Sequence, residues 1–190
     1  MIFFEIWMLL IDMKALVVYG SRWGGTVAVA QKIAATLRNE DLLVDVVDAK
    51  KVSVNVEDYD LIIVGSGIRA DKWTKEILEF LKNNMVTLKT KKTALFVSCQ
   101  MADRPEKAVY EKAKNQYLNQ IAEQFGIEPV SYGFFGGFMD FSQSHGLIVD
   151  IMVRVNRKSL AKNGLDTTKV HDTRNWAEIE VWATELARSH

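Results

Sequence analysis

Five short apolar stretches organise this chain, and most are separated by segments whose apolar residues recur at intervals of three and four. The stretches at 15–19, 43–47, 61–64, 94–98 and 130–135 predict β-strands. Several are unbroken apolar runs, the pattern of strands covered on both faces. Between the first two, Val27, Ala30, Ile33, Ala34 and Leu37 mark a one-faced helix. Trp73, Ile77, Phe80 and Leu81 predict a second. A third is predicted to start at Asp103-Arg104-Pro105-Glu106, with Asp103 as cap, Pro105 in the first turn and Glu106 completing a capping box. It continues through Ala113, Tyr117, Ile121 and Phe125, and Gly126 stops it. Trp176, Ile179, Ala183 and Leu186 predict a final helix, while the polar link 49–60 has room only for a brief helical turn or crossover. Alternation of strand and helix predicts an α/β, doubly wound fold: a five-stranded parallel sheet with helices on both faces. Such sheets bind ligands beyond the carboxyl ends of their strands, where the strand order reverses. The segments 20–26, 65–73 and 99–103 follow strand ends and are predicted to converge there.

Two regions stand apart from this pattern. The stretch 136–175, about forty residues, is too long for a structureless connection. Within it Leu147, Ile148, Ile151, Met152 and Val155 share one helical face, with Arg154, Arg157, Lys158 and Lys162 nearby. An insertion over about 137–174 is therefore expected, its stripe either packed over the sheet edge or turned to a membrane surface or quinone tail. The other region is the apolar stretch Met1 to Ile11. It is too short to span a bilayer and lacks a basic flank and a small-residue cleavage site. Met13-Lys14 reads as a second start, so residues 1–12 are expected to be an extension ahead of one domain over 13–190.

Composition narrows the chemistry. With 190 residues and zero formal net charge, nothing global points to nucleic acid or an acidic substrate. The single cysteine, Cys99, excludes an internal disulfide and fits a reducing, cytoplasmic setting. Three scattered histidines offer no metal-ligand spacing.

The loops are more telling. The first strand runs into Ser21-Arg22-Trp23-Gly24-Gly25-Thr26 and then a helix. Such a turn directs backbone N–H groups and the Ser21 and Thr26 hydroxyls into one concavity, where the helix dipole adds roughly half an elementary charge. That is a phosphate site built from neutral groups. Gly24 and Gly25 are expected to permit positive φ and close backbone approach. Arg22 either adds a charged contact or reaches solvent. The loop is neither G-x-G-x-x-G nor an NTP-binding Gly-Lys-Ser/Thr loop, which points to a monophosphate ester. The second loop, Gly65-Ser66-Gly67-Ile68-Arg69, leaves room for a planar heterocycle covered by Ile68, Arg69 or Trp73, although Trp73 equally suits the core. The third, Ser98-Cys99-Gln100-Met101, offers backbone donors and the Gln100 amide to a ring's edge. Cys99 has no histidine base near it in sequence and reads as a small buried thiol.

In this order the three loops resemble the flavodoxin-like FMN-binding family, whose S/T-x-x-G-x-T phosphate loop is matched by Ser21, Gly24 and Thr26. A closer resemblance is to the menaquinone-dependent protoporphyrinogen oxidase group of flavodoxin-domain proteins. It is carried by Ser21-Arg22-x-Gly24-x-Thr26, Ile68-Arg69, Arg104-Pro105-Glu106-Lys107, Phe135-Gly136-Gly137, the insertion, and Asp166-Thr167 ahead of Trp176. The resemblance implies strand order 2-1-3-4-5 and FMN as cofactor. Its binding residues would be Ser21, Arg22, Trp23, Gly24, Gly25, Thr26, Ser66, Gly67, Ile68, Arg69, Ser98, Cys99, Gln100 and Met101. It implies an oxidoreductase moving electrons from a porphyrinogen-type or other reduced substrate to a quinone or redox partner, with peripheral membrane contact through the insertion as one option. No catalytic side chain is nominated, because a flavin carries the redox chemistry itself. Association with a second copy stays open. Two alternatives remain: a non-enzymatic electron carrier, and a flavin-free interaction module whose Trp23 fills the phosphate pocket.

Overall fold

Ala15 and Val17 join one hydrophobic cluster and Leu16 and Val18 another, and all four are fully buried. This is the period-two alternation of a strand with no solvent face. The computed structural model describes residues 13–22, 24–51, 54–103, 106–141, 151, 154, 155, 157, 158, 161 and 166–189. The readings of residues 1–12, Trp23, Arg104, Pro105, Leu147, Ile148, Met152 and Lys162 lie outside the described residues.

In chain order the elements are β1 (Lys14–Gly20), α1 (Gly25–Asn39), β2 (Leu43–Asp48), β3 (Leu61–Gly67), α2 (Lys75–Asn83), α3 (Met85–Thr90), β4 (Lys92–Ser98), α4 (Lys107–Lys114), a π-helical turn (Asn115–Asn119), α5 (Gln120–Phe125), β5 (Ser131–Phe135), β6 (Phe138–Asp140), β7 (Val170–Asp172) and α6 (Trp176–Arg188). The first five strands form one parallel sheet in the order β2-β1-β3-β4-β5, as expected. Val29, Ile33 and Leu37 of α1 and Ile179, Trp182 and Leu186 of α6 pack with Ala15, Val17, Ile63 and Phe96. Ile77 and Phe80 of α2, Leu88 of α3, Leu118 of the π-helical turn and Phe125 of α5 pack with Leu16, Val18, Ile62, Val64, Leu95 and Val97. Burial of each such side chain contributes about 1.5–3 kcal/mol, which makes the sheet a firm platform for the loops at its ends. The link 49–60 holds two short 3-10 turns, Ala49–Lys51 and Val56–Asp58.

The chain departs from the sequence pattern at three places. The third helix begins at Lys107 with Glu106 as its cap residue and no side-chain cap bond. Asp103 instead closes a 3-10 turn, Gln100–Asp103, in which the Ala102 N–H donates to the Cys99 carbonyl at 3.2 Å. The chain completes that turn straight after β4, so Asp103 lies too early to cap. The helix end at Gly126 is as expected: its φ is 61°, and the Ile127 N–H returns to the Ala122 carbonyl at 2.9 Å. Trp73 precedes α2 rather than opening it, and Thr74 is the cap residue. Trp176 is 39% exposed, because it starts α6 where the apolar face has not yet reached the sheet.

The insertion opens with β6 and closes with β7, paired antiparallel through Phe138↔Asp172, Met139↔His171 and Asp140↔Val170. Between them the described positions 151, 154, 155, 157, 158 and 161 are helical. Ile151 and Val155 are exposed there. Among the described residues no helix is long and apolar enough to cross a membrane.

Candidate functional site

A crevice opens beyond the carboxyl ends of β1, β3, β4 and β5, across the gap between β1 and β3 where strand order reverses. Ser21, Arg22, Gly25 and Thr26 line it from the first loop, and Gly67, Ile68 and Arg69 from the second. Ser98, Cys99, Gln100 and Met101 line it from the third. The three loops therefore converge. Gly24 and Ser66 are not among the lining residues, and Trp73 is not either. Ala70, Asp71, Tyr117, Gly137, Phe138 and Met139 also line it and were not singled out as site residues by sequence.

At the first loop Gly24 takes the left-handed conformation, φ 83°, which a side chain would strain. Its N–H donates to Ser21 Oγ at 3.0 Å, leaving the Ser21 hydroxyl proton free to donate. A helix starts with four N–H groups that have no partner within it. Here the Gly24 N–H goes to Ser21 and the Val27 N–H to the Gly24 carbonyl at 3.1 Å. Among the described residues the N–H groups of Gly25 and Thr26 have no partner, no side chain caps α1, and its first turn holds no acidic residue. Two backbone donors and the Thr26 hydroxyl thus stand at the positive end of α1, uncompensated. Gly25 does not take positive φ as expected; it is the first residue of α1. Its small size serves Phe138 instead, whose Cβ would lie 3.0 Å from an added methyl. A methyl on Gly67 would come within 2.8 Å of Thr26 Oγ1, so Gly67 keeps that hydroxyl clear.

Ser66 is fully buried and its hydroxyl is occupied: it donates to the Gly67 carbonyl at 2.9 Å and accepts the Thr74 N–H at 2.9 Å. It shapes the second loop from behind. Beyond it, Arg69 and Lys72 exchange backbone hydrogen bonds of 3.0 and 3.1 Å around Ala70 and Asp71. Both central residues have positive φ, 48° and 58°, the conformation of a tight hairpin turn usually filled by Asn or Gly. Tyr117 braces it, its hydroxyl donating to Asp71 Oδ1 at 2.5 Å. Burial, then the Asp71 hydrogen bond, raises the Tyr117 phenol well above its usual range, so it stays a neutral donor. The Trp73 indole is buried and donates to the Tyr117 carbonyl at 2.7 Å, which assigns Trp73 to the core.

At the third loop Ser98 Oγ donates to the Gly136 carbonyl at 2.8 Å and the Cys99 N–H to the Phe135 carbonyl at 2.9 Å. Burial pushes the Cys99 thiol up to about 11, which keeps it protonated at neutral pH. Gln100 Oε1 accepts from the Thr173 hydroxyl at 3.3 Å, and Gln100 Nε2 is buried with no partner among the described residues. A buried amide left so costs about 1–3 kcal/mol. Gly137 lets the loop lie directly on β5's end, since a methyl there would meet the Gln100 backbone nitrogen at 2.8 Å. The end of β5 lies on the same sheet edge as the other three, so the strand-end rule extended to it would have pointed to Gly137, Phe138 and Met139. Tyr117 had no such signal.

The flavodoxin domain family matches the chain over residues 16–163. Protoporphyrinogen IX dehydrogenase (quinone) of Escherichia coli strain K12 is 22% identical over 176 residues, spanning 92% of this chain and 95% of that protein. Among solved structures, a flavodoxin from the domain Archaea superposes with TM-score 0.54 at 18% identity, covering 92% of this chain and 96% of its own. The flavodoxin of Streptococcus pneumoniae TIGR4 gives 0.56 at 18% identity, covering 93% and 99%. Rubredoxin oxygen:oxidoreductase from Desulfovibrio gigas gives 0.53 at 14% identity over 93% of this chain and 35% of that larger one. These structural likenesses show the fold.

Proposed function

The chain belongs to the flavodoxin domain family, and from that premise we propose that its crevice binds flavin mononucleotide and that the loaded protein is an oxidoreductase. The observation that carries this reading is the neutral cradle at the start of α1: N–H groups on Gly25 and Thr26 with no partner among the described residues, beside the Ser21 and Thr26 hydroxyls, with no acidic residue in that turn. A monophosphate ester satisfies those donors and the helix dipole together. Gln100 lines the crevice from the third loop, on the side that would meet the ring's edge, and Ile68 and Met101 supply apolar cover that excludes water. When bound, the flavin supplies hydride or electron transfer. This chain's residues hold the phosphate, orient the ring and fix the crevice rim through Asp71 and Tyr117. Cys99 stays protonated and takes no part.

The near full-length similarity to a protein named protoporphyrinogen IX dehydrogenase (quinone) supports a porphyrinogen-type electron donor and a quinone acceptor. Zero net charge favours an enzyme over a carrier steered by acidic surface. Ile151 and Val155 are exposed at helical positions beside exposed Arg154, Arg157 and Lys158, which supports docking of the insertion on an anionic membrane surface, where quinones partition. Reconstituted protein assayed with protoporphyrinogen and a menaquinone analogue is expected to show saturable, quinone-dependent oxidation. No saturable turnover with any donor–acceptor pair would leave only the carrier reading. Flotation with anionic liposomes checks the membrane contact, which equal partitioning of protein lacking residues 142–165 would end.

A further inference from the structure

Arg174 lies in none of the loops to which the sequence pointed. It follows β7, where the insertion returns to the sheet, and its side chain is 9% exposed. Asp172 takes one edge of the guanidinium through Nε at 2.7 Å and Nη2 at 2.6 Å. The Phe138 ring covers the group at 4.7 Å and the Trp176 ring at 4.6 Å. The remaining donor, Nη1, reaches the Gly25 carbonyl at 3.2 Å.

That last contact ties Arg174 to the cradle. The Gly25 carbonyl and the Thr26 N–H belong to one planar trans peptide, so they point in opposite directions. Holding the carbonyl toward Arg174 fixes the Thr26 N–H on the other side, among the crevice donors. Accepting from a cation also polarises the peptide and strengthens its N–H as a donor. Phe138 contacts both partners, its ring under the Arg174 guanidinium and its Cβ against Gly25. Because Asp172 neutralises the guanidinium at close range, Arg174 works through geometry and polarisation rather than as a loose positive charge.

We propose that Arg174 is a positioning residue that makes the crevice select phosphorylated over unphosphorylated flavin, by clamping the first peptide of α1 between the insertion and the phosphate. The inference rests on the flavin mononucleotide reading. A lysine cannot replace it, because one ammonium cannot hold Asp172 and Gly25 in the forked geometry of a guanidinium.

The test is titration of wild type, Arg174→Gln and Arg174→Lys with flavin mononucleotide and with riboflavin, read by flavin fluorescence, with thermal unfolding as the check on folding. Both variants are expected to lose about tenfold or more in affinity for the mononucleotide and less than about twofold for riboflavin, a difference of roughly one charge-assisted hydrogen bond. Equal loss of both flavins, or loss of neither, overturns the proposal. A second measurement needs no flavin: hydrogen exchange of the flavin-free proteins. Arg174→Gln is expected to speed exchange of the Val27 and Ala28 N–H groups, which hydrogen-bond to the Gly24 carbonyl, and leave the sheet core unchanged; unchanged exchange at Val27 and Ala28 also overturns it. Should wild type bind neither flavin, the cofactor reading fails, while exchange still decides whether Arg174 holds that turn.

Discussion

The Tyr117 hydroxyl donates to Asp71 Oδ1 across 2.5 Å, joining a π-helical turn to a left-handed hairpin turn at the rim of the crevice. Two uncommon backbone features meet at this hydrogen bond, and such features concentrate at functional sites. Tyr117→Phe removes the bond while leaving the buried ring in place. The expected cost is about 1 kcal/mol of stability in urea unfolding, with weaker flavin binding as the turn loosens. An unchanged midpoint and unchanged affinity would show that the bond braces nothing.

Ala70 holds a positive φ of 48° with no side-chain hydrogen bond of its own to compensate. A left-handed backbone costs a residue with a Cβ about 1–2 kcal/mol, and glycine escapes most of that. Ala70→Gly is therefore expected to raise the thermal midpoint by a few degrees. A lower midpoint would mean that the strain is not where the backbone angles place it.

Cys99 keeps its proton in the folded chain up to about pH 11, whereas an unfolded thiol ionises near 9.0. The folded state thus binds more protons than the unfolded state between those values, and stability falls as pH rises through that window. At pH 8 the native thiol is expected to react with a disulfide reagent far more slowly than the chain in guanidinium. Equal rates would place the thiol in solvent.

Gly67→Ala puts a methyl 2.8 Å from Thr26 Oγ1, inside the crevice and away from the two core clusters. The expected result is at least a tenfold loss of mononucleotide affinity, with urea unfolding shifted by less than about 1 kcal/mol. Retained affinity would remove Thr26 from the phosphate contacts.

Much of this architecture is visible in the residues themselves. Leu61 to Val64 run without a polar break because β3 is covered on both faces, and Gly126 stops its helix because only the left-handed conformation turns the chain there. That Ser21, Gly25 and Thr26 line the crevice was legible because small residues and hydroxyls straight after a strand gather donors at a helix start. The helix start at Glu106 was not, since Asp103-x-x-Glu106 satisfies the capping pattern equally well and only the 3-10 turn after β4 decides against it. Tyr117 fits an apolar helix stripe, and the pattern carries no trace of where its hydroxyl goes. Thr173 and Arg174 reach Gln100 and Gly25 only because β6 pairs with β7 across the insertion, a long-range pairing that local periodicity cannot register.

The most direct measurement is calorimetric titration of the flavin-free protein with flavin mononucleotide, followed by its visible absorption spectrum. One equivalent binding tightly, with the free flavin's fluorescence quenched and riboflavin bound at least tenfold more weakly, is the expected result. No heat, no quenching and a colourless protein at excess flavin would contradict it.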